Sequence, residues 1–168
     1  KGFAAGYAPL GAMAAQRHIV DAVMAHGGFA HGYTYAGNPL ACAAGLAVLQ
    51  EVQAQNLIQA AEKQGDILKT GLQELMSRYE FIGDVRGKGL LIGLDLVKDR
   101  ETKEELPSQV TERFFQEALK RGLLMMGYFP RVRLNPPLVI TAEQVQEGID
   151  ILDEVFQCIA DEVDYRHV

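Results

Sequence analysis

Apolar residues recur along much of the chain at the spacing of an amphipathic helix. In residues 57–79 the apolar positions are separated by polar ones at a period near 3.6, which predicts one buried stripe and one solvated face. The same period returns in residues 108–121 and again from about residue 142. Shorter helices are predicted near residues 17–25 and, in an Ala-rich run, up to about residue 53.

Helix start and stop signals support these assignments. Asn38 is followed by Pro39, so its side chain is expected to cap a helix whose first position suits proline. Gly122 is placed to close the helix of residues 108–121. Thr141, followed by Glu143 and Gln144, is expected to cap the last helix.

From Phe81 the pattern changes to that of strands. Strands are predicted at 81–85 and 90–97, separated by a break at Gly87-Lys88-Gly89, and two short ones at 123–126 and 132–134. A further short strand is predicted near 10–15, a loop at 26–37 and a charged surface loop at 98–107. Residues from about 56 onward thus form an α+β unit with its own core, whereas residues 1–55 have the pattern of the end of another domain.

Charge is distributed very unevenly. The first 50 residues hold three charged side chains, Lys1, Arg17 and Asp21, beside 14 Ala and 8 Gly. Because so few charges cannot solvate a free surface, this stretch is expected to be buried in a larger domain or against another subunit. Arg17 and Asp21 lie one helical turn apart and are expected to pair. The chain starts at Lys rather than Met, and we expect it to be the C-terminal part of a longer protein.

Composition excludes several classes of function. The formal net charge is −6 and no basic run occurs, so nucleic acid is not an expected partner. No stretch approaches the roughly 20 apolar residues of a membrane-spanning helix. Cys42 and Cys158 match neither a zinc nor a disulfide spacing, and as buried free thiols they favour a cytoplasmic location. The four histidines form no ligand spacing, so no metal is expected.

Four segments combine into a distinctive order. They are Lys1-Gly-Phe-Ala-Ala-Gly-Tyr-Ala-Pro-Leu-Gly-Ala12, His31-Gly-Tyr-Thr-Tyr-Ala-Gly-Asn-Pro-Leu-Ala41, Val85-Arg-Gly-Lys-Gly-Leu90 and Arg133-Leu-Asn-Pro-Pro-Leu138. Together they resemble the class III pyridoxal-phosphate-dependent aminotransferases, the ornithine, 4-aminobutyrate and ω-amino acid type. The resemblance covers essentially the whole chain, and the four segments together are far more specific than any one.

The resemblance implies a fold and a domain organisation. The fold class is α/β, that of the fold-type I transferases: residues 1–55 would end the large cofactor-binding domain, and residues 56–168 would form the small C-terminal α+β domain. The family's Gly/Ser phosphate loop, ring-stacking aromatic residue and ring-nitrogen Asp all precede the Schiff-base lysine, so none is in this chain. The 168 residues alone are therefore predicted to be inactive.

Lys1 is the candidate catalytic residue. It lies in a Gly/Ala-rich stretch without acidic residues, where desolvation favours the neutral, nucleophilic amine. The resemblance implies that Lys1 forms a Schiff base with pyridoxal 5'-phosphate and then acts as general acid and base. From composition alone, an exposed terminal lysine is the simpler interpretation.

Thr34 and Tyr33 are the candidate cofactor-binding residues. Thr34 supplies a hydroxyl in a glycine-bracketed turn, which suits a phosphate oxygen. The resemblance implies that Thr34 binds the cofactor phosphate of the neighbouring subunit, with Tyr33 beside that contact, and hence a homodimer or higher oligomer with shared active sites. The alternative is a threonine that hydrogen-bonds within its own turn.

Arg133 is the candidate substrate-binding residue. A guanidinium just before Pro136-Pro137 can hold a carboxylate by two parallel hydrogen bonds. The resemblance implies that it binds the α-carboxylate of amino and keto acids, although a surface arginine is the alternative. Arg131 is expected on the same strand face, and Arg133 is preferred for its spacing to the two prolines. Arg86 is assigned a structural role.

Three hypotheses follow for the function. The first is an aminotransferase that moves an amino group from an amine or ω-amino acid to pyruvate or 2-oxoglutarate, with the N-terminal portion missing from this chain. The second keeps the cofactor but changes the reaction, as in related aminomutases or decarboxylases. The third is a non-enzymatic fragment acting as an interaction module through its first 50 residues.

Overall fold

The chain forms two compact units, Lys1–Asn56 and Leu57–Val168. The computed structural model describes residues 2–128 and 130–162, so Lys1 lies outside the described residues. In this part of the chain, no helix is both long enough and apolar enough to cross a membrane.

The first unit contains two helices, α1 (Arg17–Ala25) and α2 (Pro39–Ala54). The capping prediction is confirmed, since the Asn38 side chain accepts a hydrogen bond from the Ala41 amide at 3.1 Å. Arg17 and Asp21 form the expected pair on an exposed helix face, with 3.0 Å between Nε and Oδ1.

The short strand predicted near residues 10–15 is wrong, because this segment has no regular secondary structure. A strand needs a neighbour to pair with its amides and carbonyls, and the described residues of the first unit contain none. The prediction that both cysteines are buried is also wrong: Cys42 is exposed and Cys158 is half-buried. Helix α2 buries Ala41 and Gly45, one turn apart, which leaves Cys42 on another side of the helix.

The apolar side chains of the first unit are largely exposed. They include Tyr7, Met13, Met24, Phe29, Tyr35, Leu40 and Leu46, all more than half exposed. Apolar surface of this extent normally marks a site of interaction, which agrees with the expectation that the charge-poor stretch packs against further protein.

The second unit packs three helices against one face of a four-stranded sheet. In chain order these are α3 (Leu57–Arg78), β1 (Ile82–Lys88), β2 (Leu91–Leu96), α4 (Ser108–Lys120), β3 (Met126–Tyr128), β4 (Arg131–Leu134) and α5 (Ala142–Glu162). The sheet order is β1-β2-β4-β3, and each neighbouring pair is antiparallel. The Thr141 cap is confirmed: Gln144 N donates to Thr141 Oγ1, and the Thr141 amide donates to Gln144 Oε1.

Two strand boundaries differ from the predicted ones. Strand β1 continues through Gly87 and Lys88, because Lys88 pairs with Leu91 and the turn falls on Gly89 and Leu90. Strand β3 begins only at Met126. The Leu123 amide instead bonds Ala118 O, so Leu123 belongs to the turn that ends α4 at Gly122.

Strand alternation divides the sheet into a buried and an open face. Ile92, Leu94 and Val132 point into a core shared with α3, α4 and α5, which includes the fully buried rings of Phe81, Phe114 and Phe156. The opposite side, here called the open face, carries the alternate residues of each strand. Its charged residues are Asp84, Arg86, Lys88, Asp95, Arg131 and Arg133. This alternation places the chemistry of the second unit on one surface.

Candidate active site

The loop before α2 is shaped by two successive backbone turns. Ala36 N donates to Tyr33 O at 3.0 Å, and Asn38 N donates to Tyr35 O at 3.1 Å. Gly37 between them has φ +75°, a left-handed conformation that glycine adopts without a steric cost. The His31 ring packs edge-on against the Tyr33 ring, with 4.7 Å between centroids.

Thr34 lies on this turn with its hydroxyl available. The residue is exposed, and among the described residues its hydroxyl takes part in no hydrogen bond. The alternative of a threonine bonded within its own turn is thus not realised. Residues 22–50 contain no Asp or Glu, and the α2 N-terminus follows directly. A hydroxyl, an absence of carboxylates and a positive helix end suit a phosphate group.

Lys1 lies outside the described residues, but the residues after it are ordered as turns. Ala5 N donates to Gly2 O and Tyr7 N donates to Ala4 O, at 3.0 and 2.9 Å. Ala4 is buried within this first unit at 1% exposure. The segment that follows the candidate lysine is therefore a compact turn structure.

Arg133 lies on a short strand, β4, as the sequence predicted, and its side chain is on the open face. Val132 and Leu134 on either side are buried, so the strand fixes the direction of the arginine side chain. Arg133 Nε donates to Asn135 Oδ1 at 3.2 Å. Arg131 lies on the same face, also as predicted, but within 3.8 Å of the carboxylates of Asp95 and Glu105. The charge of Arg131 is thus shared with two acids.

An apolar cavity borders Arg133. Its volume is about 530 Å³, and it lies in the second unit between the segment after α4, strand β4 and helix α5. Its lining includes Leu124, Met126, Pro136, Pro137 and Ile140. The cavity therefore offers an apolar surface beside Arg133, which is itself exposed.

Arg86 has the structural role that was predicted for it. Its guanidinium binds both oxygens of Asp95, at 2.5 and 2.8 Å, and Asp84 Oδ2 at 2.8 Å. The hydrogen bonds that Arg86 donates to Asp95 and to Asp84 raise the pKa of Arg86, and Arg86 in turn holds the pKa of Asp95 below its usual value. The three residues tie β1 to β2.

The predicted site residues fall in both units. Tyr33 and Thr34 are neighbours on one turn of the first unit, and Arg133 lies on the sheet of the second. Gly93, directly opposite Arg133 in the ladder, was missed by sequence reasoning. Its position opposite Arg133 follows only from the register of β2 against β4, and no local sequence motif specifies the register between distant strands. No cluster of three His, Cys, Asp or Glu in the described ranges is arranged to hold a metal ion.

Two features define the class of protein: the charge-poor first unit carries a turn suited to a phosphate group, and the second unit carries a basic sheet face. The family described as Aminotransferase class-III matches residues 1–156. The chain is 40% identical to the leucine/methionine racemase of Thermococcus litoralis and 36% to the acetylornithine aminotransferase of Caldanaerobacter subterraneus, with 88% and 92% of the chain covered. An amine transaminase from an uncultivated Pseudomonas species, solved with pyridoxal phosphate bound, superposes with a TM-score of 0.86 at 40% identity over 95% of the chain.

The chain therefore belongs to the class III aminotransferase family, with the fold of the fold-type I transaminases. It covers 33% and 36% of the lengths of the two curated relatives and 37% of the length of the solved transaminase. It thus corresponds to about a third of such a protein.

Proposed function

We propose that the protein containing this chain is a pyridoxal-phosphate-dependent aminotransferase. It moves an amino group from an amine or ω-amino acid to a 2-oxo acid, pyruvate or 2-oxoglutarate. The observation that carries the proposal is the family match over residues 1–156, which includes both Lys1 and Arg133. Pyridoxal 5'-phosphate, when bound, supplies an aldehyde for the amine and a ring that accepts the electrons of a broken C–H bond.

Lys1 is the covalent attachment point of the cofactor in this proposal. With the cofactor bound, its Nζ would be released by the amino donor and would then serve as the base that takes a proton from the substrate carbon. Such a role requires a neutral amine, and the acid-free residues around Lys1 favour one.

Thr34 and Tyr33 hold the cofactor phosphate. The support is the unbonded Thr34 hydroxyl on an exposed turn, together with the positive end of α2. By the family resemblance this phosphate belongs to the neighbouring subunit, so we propose a homodimer with shared active sites. The exposed apolar residues of the first unit are consistent with burial against further protein.

Arg133 binds the carboxylate of the 2-oxo acid. The support is its place on the open face, the amide partner Asn135 and the apolar cavity at its side. Two parallel hydrogen bonds from one guanidinium orient a carboxylate in a way that a lysine cannot.

The organisation and location follow the same proposal. Residues 1–55 end the large cofactor-binding domain and residues 56–168 form the small domain, in a cytoplasmic protein. Residues 1–168 alone supply an attachment lysine, a phosphate contact and a carboxylate arginine. We propose that these three contacts do not suffice for turnover.

A second candidate function is racemisation with the same cofactor, because a racemase is among the relatives at 40% identity. A racemase returns the proton to the opposite face of the same carbon and needs no 2-oxo acid acceptor. An aminotransferase, by contrast, cannot turn over repeatedly without a 2-oxo acid acceptor.

One experiment separates these functions. The native protein is incubated with an ω-amino acid such as 4-aminobutyrate and either pyruvate or 2-oxoglutarate, and separately with one enantiomer of alanine and no acceptor. We expect alanine or glutamate to form in the first reaction, whereas racemisation would give the other enantiomer of alanine in the second. A second experiment tests the role of Arg133. Arg133→Lys keeps the positive charge but cannot donate two parallel hydrogen bonds to a carboxylate, so kcat/KM for the 2-oxo acid should fall about 100-fold. Arg131→Lys is the matched control on the same strand and face. Equal losses in the two variants would contradict the role of Arg133.

A further inference from the structure

Gly93 occupies the centre of the open face. It lies on β2, the strand between β1 and β4, and pairs with Arg86 on one side and Arg133 on the other. One row across the sheet therefore reads Arg86, Gly93, Arg133, Met126. Residues directly opposite on neighbouring strands have side chains on the same face, so two arginines flank a position without a side chain.

The fold itself does not require glycine at this position. A Cβ on Gly93 would meet only Val132 O at 3.9 Å and Arg86 O at 4.0 Å, both ordinary contacts. The backbone of Gly93 is also outside the positive-φ region. By contrast, the fold explains two other glycines of the hairpin: a Cβ on Gly83 would come within 2.7 Å of Val97, and Gly87 has φ +152°.

Glycine in the interior of a strand is unfavourable for stability and often marks a site where another group approaches the backbone. The flanking side chains leave that approach open at Gly93. Arg86 leans along the sheet toward Asp95, whereas Arg133 leans the other way toward Asn135. Gly93 is half-buried rather than covered.

The electrostatic character of this face indicates what approaches. Strands β1, β2 and β4 place four basic side chains on it, and three acidic ones, Asp84, Asp95 and Glu105, pair with two of these. The face thus keeps a positive balance in a chain whose net charge is −6. The basic residues are Arg86, Lys88, Arg131 and Arg133. An anion is therefore favoured on this face over the rest of the surface.

We propose that Gly93 is a specificity-determining residue that leaves room for the carboxylate of the substrate beside Arg133. The inference rests on the proposed function for the role of Arg133, and it assigns Gly93 a task that the fold does not explain. A side chain at this position would occupy the space between the two arginines and block carboxylates. Substrates without a carboxylate would be affected far less.

The test is carboxylate binding by the native protein with its cofactor, and it requires no turnover. Glutarate, an unreactive analogue of 2-oxoglutarate, is titrated by calorimetry into wild type, Gly93→Ala and Gly93→Val. We expect its dissociation constant to rise about tenfold with alanine and about 100-fold with valine, since added methyl groups in a rigid site act on this scale. Cofactor content should be unchanged in both variants. The melting temperature should be unchanged or raised.

Three results would overturn the inference. The first is unchanged glutarate binding in Gly93→Val, and the second is no glutarate binding by the wild type. The third is a lower melting temperature or loss of cofactor in Gly93→Ala, which would mean that another part of the protein needs the glycine. Failure of the proposed function is distinguishable: glutarate binding would depend on Gly93 as expected, while no amino group is transferred.

Discussion

Tyr79 Oη and Asp153 Oδ1 lie 2.5 Å apart and join the end of α3 to the middle of α5. Arg78 binds both oxygens of the same carboxylate, at 2.8 and 2.7 Å. Tyr79 is 5% exposed, and its ring packs against Phe81 and Phe156. A polar clamp thus closes the edge of the aromatic core.

The clamp predicts a pH dependence of stability on the alkaline side. Burial, followed by the hydrogen bond to Asp153, raises the pKa of Tyr79 to about 12. A raised pKa contributes stability that is present below the unfolded value of about 10 and is lost as the pH rises toward 12. Between pH 8 and pH 11, the free energy of unfolding measured by denaturation should fall more for wild type than for Tyr79→Phe. Equal losses would contradict the clamp.

Asp153 predicts the complementary behaviour in acid. Burial raises its pKa, but hydrogen bonds from Arg78 and Tyr79 outweigh burial and leave the pKa below the usual value. The contribution of a lowered pKa is present above about pH 4 and disappears as the pH falls through the folded value. Asp153→Asn should therefore be less stable than wild type at pH 7, with the difference shrinking toward pH 3. A constant difference would exclude an electrostatic origin.

Arg100 closes the C-terminal end of α3. Its guanidinium donates to the carbonyls of Tyr79, Glu80 and Ile82, at 2.8 to 3.1 Å, and also to that of Met76. These carbonyls include ones that a helix end leaves without partners. Arg100→Ala should lower the free energy of unfolding by about 1.5–3 kcal/mol, the usual effect of losing charged hydrogen bonds. Lys63→Ala, at an exposed position of α3, is a control for loss of charge.

Two glycines in helices are predicted to respond in opposite ways to alanine. A Cβ on Gly65 in α3 would collide with the backbone of Gly89, whereas a Cβ on Gly148 in α5 meets no atom within 4 Å. Gly65→Ala should destabilise the protein by about 1–3 kcal/mol, since the backbone must move. Gly148→Ala should stabilise it by about 0.5–1 kcal/mol. Urea denaturation measures both, and a stabilised Gly65→Ala would refute the close approach of α3 to the β1–β2 turn.

Features set by neighbouring residues were predictable from the sequence. The cap at Asn38, the stop at Gly122 and the Thr141–Gln144 cap depend only on side chains within one turn, and all three are found. The positions of Arg131 and Arg133 on one face followed from strand alternation.

Features that depend on distant partners were not predictable. The start of β3 is set by its pairing of Met126 with Arg133, and by the use of Leu123 to end α4. The strand expected near residues 10–15 has no partner strand in the described part of its unit. Gly93 acquires its neighbours Arg86 and Arg133 only through the order β1-β2-β4, which no local pattern specifies.

The sheet order also has a consequence for the sequence of folding events. Lys88 pairs with Leu91 across a two-residue turn, so the β1–β2 hairpin closes a very short loop. Ile92 pairs with Leu134 only after α4 and its connections have been enclosed, and a long loop costs more entropy to close. Arg133 therefore reaches Gly93 late in folding. Any state that loses β4 while keeping the hairpin would retain Gly93 and lose Arg133, so the proposed carboxylate site would be incomplete.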